Sequence, residues 1–202
     1  MAVYLDDQDL GAFTGSLAEL LDAARSRLSD GRRVVVEVQL DGQTLDQAAL
    51  DDQLEKPTGA AEVRLYSADP VELCLQALGD TRHQLAELGK LQQSAAELLQ
   101  SDEGAEAYAK LGVVIQVWLN VSQAVTQSSD LAGVDLATLD VGGEPASAVT
   151  EGLVEQLRSV KGLVEAQDTT GLADALAYEW PPVIEKWDAL VQAVSGSIES
   201  QV

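Results

Sequence analysis

A chain of 202 residues with 34 Asp and Glu against 12 Lys and Arg, a formal charge of −22, and a hydrophobic share of 46% can bury a genuine core in one large domain or two small ones. That composition excludes extensive disorder. It also excludes partners recognised through phosphate, because affinity for nucleic acid or an anionic membrane comes from Lys and Arg displacing counterions. The only basic cluster, Arg25, Arg27, Arg32 and Arg33, is interrupted by Asp22 and Asp30 and is too small to reverse this.

Residues 1–68 read as a small α/β unit. Val3 to Leu5 suits a short strand. Ser16 with Glu19 forms a capping box before Leu17, Leu20, Leu21, Ala24 and Leu28, one face of a helix that Asp30-Gly31 stops. Arg33 to Leu40 is the clearest strand, and its alternation places Val34, Val36, Val38 and Leu40 on one face. Asp41-Gly42 signals a turn, Thr44 with Gln47 caps a short helix to about Leu54, Pro57 to Gly59 breaks the chain, and Glu62 to Tyr66 is another strand. A unit of this size is marginal alone and is expected to lean on the rest of the chain or on a second copy.

Residues 69–202 read as a four-helix bundle, so the fold class is α+β. Asp69 as N-cap, Pro70 at the first helical position and Glu72 open a long helix to about Gln100 with Leu75, Leu78, Leu85 and Leu88 on one stripe. A second helix spans about Glu103 to Gln127 and carries Tyr108, Leu111, Ile115, Trp118 and Val125. Residues 128–143, rich in Ser, Asp and Gly, read as the longest loop. Pro145 opens a third helix with Val149, Leu153, Leu157, Val160 and Val164. The last helix places Leu172, Leu176, Trp180, Val183, Trp187, Leu190, Val194 and Ile198 at three-and-four spacing. Pro181-Pro182 must kink it or split it into 171–179 and 182–198. Short connections at 101–103 and 167–171 favour antiparallel neighbours.

No segment gathers catalytic groups, so no catalytic residue, cofactor or metal is expected. Cys74, the only cysteine, precludes an intrachain disulfide and has no activating base beside it. His83, the only histidine, sits in His83-Gln84-Leu85-Ala86-Glu87, without the Lys and Gly that follow the reactive His of phosphotransfer bundles. Asp130, Asp135 and Asp140 are five residues apart, which is no calcium-loop spacing. Met1 to Asp7 lacks the features of a signal peptide and no apolar run approaches a membrane span, so a cytoplasmic location is the expectation.

Asp168 to Trp187, Asp-Thr-Thr-Gly-Leu-Ala-Asp-Ala-Leu-Ala-Tyr-Glu-Trp-Pro-Pro-Val-Ile-Glu-Lys-Trp, resembles the closing segment of a family of uncharacterised bacterial proteins with Leu-Ala-Asp-x-Leu-x-Tyr-Glu-Leu-x-Pro near the C-terminus. Leu40-Asp41-Gly42 matches a strand end near the start of that family. The resemblance implies a bacterial origin and no assigned activity.

The functional expectation is a non-enzymatic protein-interaction or self-assembly protein. Val113, Val114, Val117 and Val121 on the second helix, with Tyr178 and Trp180 at the proline break, are the candidate interaction surface. The four valines equally suit the interior of a compact bundle, and Trp180, seven residues from Trp187 on the buried stripe, favours the core over an exposed recognition site. The alternatives are an export-chaperone-like binder of an amphipathic client helix, and an enzyme with an unrecognised carboxylate site.

Overall fold

The computed structural model describes residues 1–28, 32–57, 59–101 and 104–201. The chain forms two compact units, Met1–Leu73 and Cys74–Val202. The division falls within the first turn of a helix, a few residues beyond the 68/69 boundary read from the N-cap. Asp30-Gly31, Thr58 and Glu103, named above as breaks or as a helix start, lie outside the described residues.

The first unit contains β1 (Ala2–Leu5), β2 (Gln8–Ala12), α1 (Leu17–Arg27), β3 (Val34–Leu40), β4 (Gln43–Thr44), α2 (Gln47–Gln53) and β5 (Glu62–Ala68). The sheet order is β2-β1-β5-β3-β4. β1 lies parallel to β5, and the other pairs are antiparallel. That order and those directions make a β-grasp topology, which by itself fixes no activity. Both hairpins turn through two residues of positive φ, Asp6 and Asp7 at 48° and 63° and Asp41 and Gly42 at 48° and 80°, the backbone that matches strand twist in a two-residue loop. α1 has the full capping box of Ser16 and Glu19. Its Leu17, Leu20 and Ala24 close a core with Val3, Leu5, Val38, Val63 and Leu65.

The strand β3 departs from the expected alternation. A bulge between Val35 and Glu37 inserts Val36 as an extra residue, so Val38 faces Leu65 and Leu40 faces Val63, while Val35 faces Ser67. Val35, Val38 and Leu40 therefore meet the core, and Val34 and Val36 are 43% and 49% exposed. The second helix also starts later than Thr44 suggested. Thr44 is in β4, and the carboxylate of Asp46 accepts the Ala49 amide at 2.8 Å.

A polar cluster pins the strand ends. Asp6 accepts from the Ser67 amide at 2.7 Å and the Ser67 hydroxyl at 2.5 Å, and Arg33 Nε donates to the same hydroxyl at 2.9 Å. Burial alone would raise the Asp6 carboxyl, but the Ser67 bonds and Arg33 together outweigh it and hold it below its ordinary value.

The second unit is helical: α3 (Pro70–Gln100), α4 (Gly104–Ala132), a small hairpin of β6 (Asp140–Val141) and β7 (Glu144–Pro145), α5 (Ala146–Glu165), α6 (Thr169–Asp174), a π-helical turn (Ala175–Glu179) and α7 (Pro181–Glu199). The Asp69 carboxylate accepts the Val71 amide at 2.9 Å, the cap the sequence called for. α3 and α4 run antiparallel: Cys74 Sγ meets the Ser128 carbonyl at 3.7 Å at one end, and Lys110 Nζ meets Ser94 Oγ at 2.7 Å at the other. α7 packs against both α4 and α5. α4 continues through Ser128 and Ser129, both buried, so the expected loop is shorter than 128–143 and carries the β6–β7 hairpin.

The proline pair splits the last helix through a π-turn. Trp180 N–H donates to Ala175 O at 3.1 Å, a five-residue reach, and α7 restarts at Pro181. Pro181 and Pro182 have no N–H to give, so α7 begins where their missing donors cost nothing. The wider turn brings Trp180 to full burial, beside Trp118 of α4. The centroid of Trp118 lies 5.6 Å from that of Trp180 and 5.7 Å from that of Trp187.

Arg82 of α3 grips Asp188 of α7 through two hydrogen bonds, at 2.7 and 3.3 Å. The Arg82 bond is the main cause of an Asp188 carboxyl held below its ordinary value. A depressed carboxyl stabilises the fold above its unfolded value, usually 3.8, and loses that contribution as pH falls through the folded value. Asp188→Asn is therefore expected to cost about 0.5–1 kcal/mol at pH 7, a half-exposed pair being worth no more, and less at an acidic pH below 3.8, where the carboxylate takes up its proton. Urea titrations of both proteins at the two pH values check this. An equal deficit at both would show that the carboxylate charge is not the cause.

Candidate functional site

α4 is unlike the rest of this chain. Its only ionisable residues are Glu106, Tyr108 and Lys110 in its first two turns and Asp130 at its end, so Leu111 to Ser129 has none in a chain that is 23% charged. Leu111, Val114, Trp118, Val121 and Val125 on one stripe are buried. Beside that stripe lies an open groove of about 550 Å³. Tyr108, Leu111, Gly112 and Ile115 of α4 form one wall, and Leu157, Val160 and Val164 of α5 the other, with Lys161 and Glu165 at the lip. Helical spacing continues both walls. Leu119, four residues beyond Ile115, is 51% exposed, and Val154, three before Leu157, is 46% exposed. Tyr108 is 37% exposed at the other end. Large side chains held half in water along two adjacent helices form an apolar strip of the kind that marks an interaction site.

The α4 wall includes a helical glycine. A Cβ built on Gly112 would meet nothing within 4 Å. Gly112 is therefore not required by packing of the chain upon itself, although glycine in a helix interior costs about 1 kcal/mol relative to alanine. The Lys161–Glu165 pair at the lip is 3.7 Å apart and mostly exposed, so it is weak and easily exchanged for another partner.

The residues singled out from the sequence separate cleanly. Val113 at 50% exposure and Tyr178 at 73% are on the surface, and Val117 is half-buried. Val114, Val121 and Trp180 are 0% exposed, so they leave the candidate surface and take the interior place that the valines equally suited and the stripe favoured for Trp180. Their spacing with Leu111 and Trp118 puts them on the inward stripe. Tyr178 lies in the π-turn, apart from the groove. In the sequence, Tyr108, Leu111, Ile115, Leu157, Val160 and Val164 of the groove read as bundle stripe, Leu119 as the end of the strongest apolar run, and Val154 carries no signal of its own.

Other concavities carry less chemistry. The depression lined by Arg82, His83, Leu85, Ala86, Ile184 and Asp188 holds one cation, already engaged by Asp188. His83 is exposed, with Nδ1 2.9 Å from the Gly79 carbonyl of its own helix. Burial pushes the Cys74 thiol up, which suppresses the thiolate. Among the described residues, no group of three or more His, Cys, Asp or Glu is placed to hold a metal ion, and no helix is long and apolar enough to cross a membrane.

No protein-family model, curated protein or solved structure matches the chain.

Proposed function

We propose that this chain is a non-catalytic protein-interaction component whose α4–α5 groove receives a helix from another protein, with α3, α4, α5 and α7 acting as an antiparallel four-helix bundle that carries the two walls. The groove is the observation that supports it: apolar side chains at helical spacing on both walls, with Tyr108 on one wall and Leu119 and Val154 at the same spacing beyond the walls at least a third exposed. Tyr108 to Leu119 spans about 16 Å at 1.5 Å per residue, the length of three turns of a docked helix. Helix-in-groove recognition uses anchors at i, i+3 or i+4 and i+7, and those anchors fit a trough with apolar walls and a polar lip. The lack of charge on the exposed side of α4 agrees with the depletion of charge at interface centres. This is the arrangement that the chaperone-like alternative requires.

Gly112 supplies the test. Gly112→Ala is expected to fold and gain about 1 kcal/mol from helix propensity, whereas Gly112→Trp keeps the fold and fills the trough. A displayed library of amphipathic helices, selected on the natural chain, should yield binders that lose about tenfold or more in affinity for Gly112→Trp and keep it for Gly112→Ala. Binders indifferent to the tryptophan would reject the groove as the site.

A further inference from the structure

We infer that the occupant of the α4–α5 groove is an amphipathic helix whose polar face is basic, rather than a second copy of this chain; this rests on the groove reading above. The apolar walls set the face that enters, and charge sets the face that remains outside. From Gly104 to Asp174, the stretch that contains both walls and the segments between and after them, ten Asp and Glu stand against three Lys and Arg. Lys161 and Glu165 at the lip offset one another and Lys186 of α7 engages Glu144, which leaves eight carboxylates against Arg158 and Lys110, and Lys110 donates to Ser94. Glu106, two residues before Tyr108, and Asp168, three after Glu165, are exposed, so carboxylates bracket in sequence the wall residues Tyr108 and Glu165. A helix laid along the trough therefore runs past acidic groups that have few cations of their own. Lys and Arg on its outer face would be attracted over a Debye length, about 8 Å at physiological salt. A second copy brings another −22 and the same acidic bracket, so two copies meeting at this face repel. Electrostatic complementarity of this kind acts mainly on partner choice and association rate.

The experiment uses two designed peptides of about 18 residues, long enough to be partly helical, with identical Leu anchors at i, i+3 and i+7. One carries Lys and Arg on its polar face and the other Glu. Each is labelled, and its anisotropy is followed against the full chain, Gly112→Ala, Gly112→Trp and Val154→Asp, with circular dichroism confirming that each variant folds. The expected result is that the basic peptide binds the natural chain at least about tenfold tighter than the acidic one, weakens as salt rises, and loses about tenfold or more on Gly112→Trp and on Val154→Asp. Equal binding of both peptides, blocked by both variants, would overturn the basic partner and leave the groove standing. Binding of the basic peptide that neither variant disturbs would mean diffuse attraction to an acidic surface and would overturn the inference. It would likewise fall if neither peptide bound, whether or not light scattering showed a dimer of the natural chain that Gly112→Trp dissociates.

Discussion

Trp118→Ala is expected to cost the helical unit about 4 kcal/mol, the middle of the range for removing a buried aromatic side chain. Trp118 is 0% exposed and its ring touches two others, tilted by 58° against Trp180 and edge-on at 72° against Trp187. Both contacts add to simple burial by about 0.5–1.5 kcal/mol each. None of the three indole N–H groups has a conventional hydrogen-bond partner among the described residues, and an edge-on ring can instead offer its N–H to a neighbouring π face. The loss is thus one of packing, and Trp118→Phe should recover more than half of it. All three tryptophans of the chain are in this cluster, so equilibrium unfolding followed by their fluorescence reads the helical unit directly. A deficit below about 1 kcal/mol would mean that the three rings do not form the centre of that core.

Val113→Asp and Val114→Asp, neighbours in sequence, should differ by about 4 kcal/mol or more. Val114 is fully buried on the stripe with Leu111 and Trp118. A carboxylate there has no partner and must either stay neutral or unfold the unit, one of the few mechanisms that exceed about 4–5 kcal/mol. Val113, about 100° around the helix from it, is half exposed, and a surface change of that kind stays within about 0.5 kcal/mol. Thermal melts of the pair decide the matter. Similar melting temperatures would reverse the orientation of α4, and with it the groove.

Much of the fold was legible wherever local chemistry and tertiary packing agree. The Ser16–Glu19 box and the Asp69-Pro70 start are written in residues that satisfy helix-end amides locally. The proline break was legible too, but not its form: a π-turn depends on how Trp180 is accommodated in the core. β2 was missed because Gln-Asp-Leu-Gly-Ala has no alternation of its own and exists by pairing with β1. The bulge at Val36 was invisible because its cause lies in the register against β5. Ser128-Ser129-Asp130 reads as loop, yet the Ser128 carbonyl receives the Cys74 thiol and the helix runs on. The groove was half legible. The absence of charge across α4 can be counted, but which apolar residues line a trough depends on how far apart α4 and α5 stand, and periodicity carries no information about that distance.

The parallel pairing of β1 with β5 sets an order of events during synthesis. Val3 and Leu5 must find Val63 and Leu65, so the first strand of this sheet takes its interior place only after the sheet's last strand has emerged. At ribosomal rates of about 5–20 residues per second, the roughly 60 residues between them take about 3–12 s. For that interval the β1–β2 hairpin and the apolar face of α1 have no sheet to close on, and such exposed surface is what chaperones bind. Once β5 is out, the sheet can close while α4, α5 and α7 are still being translated.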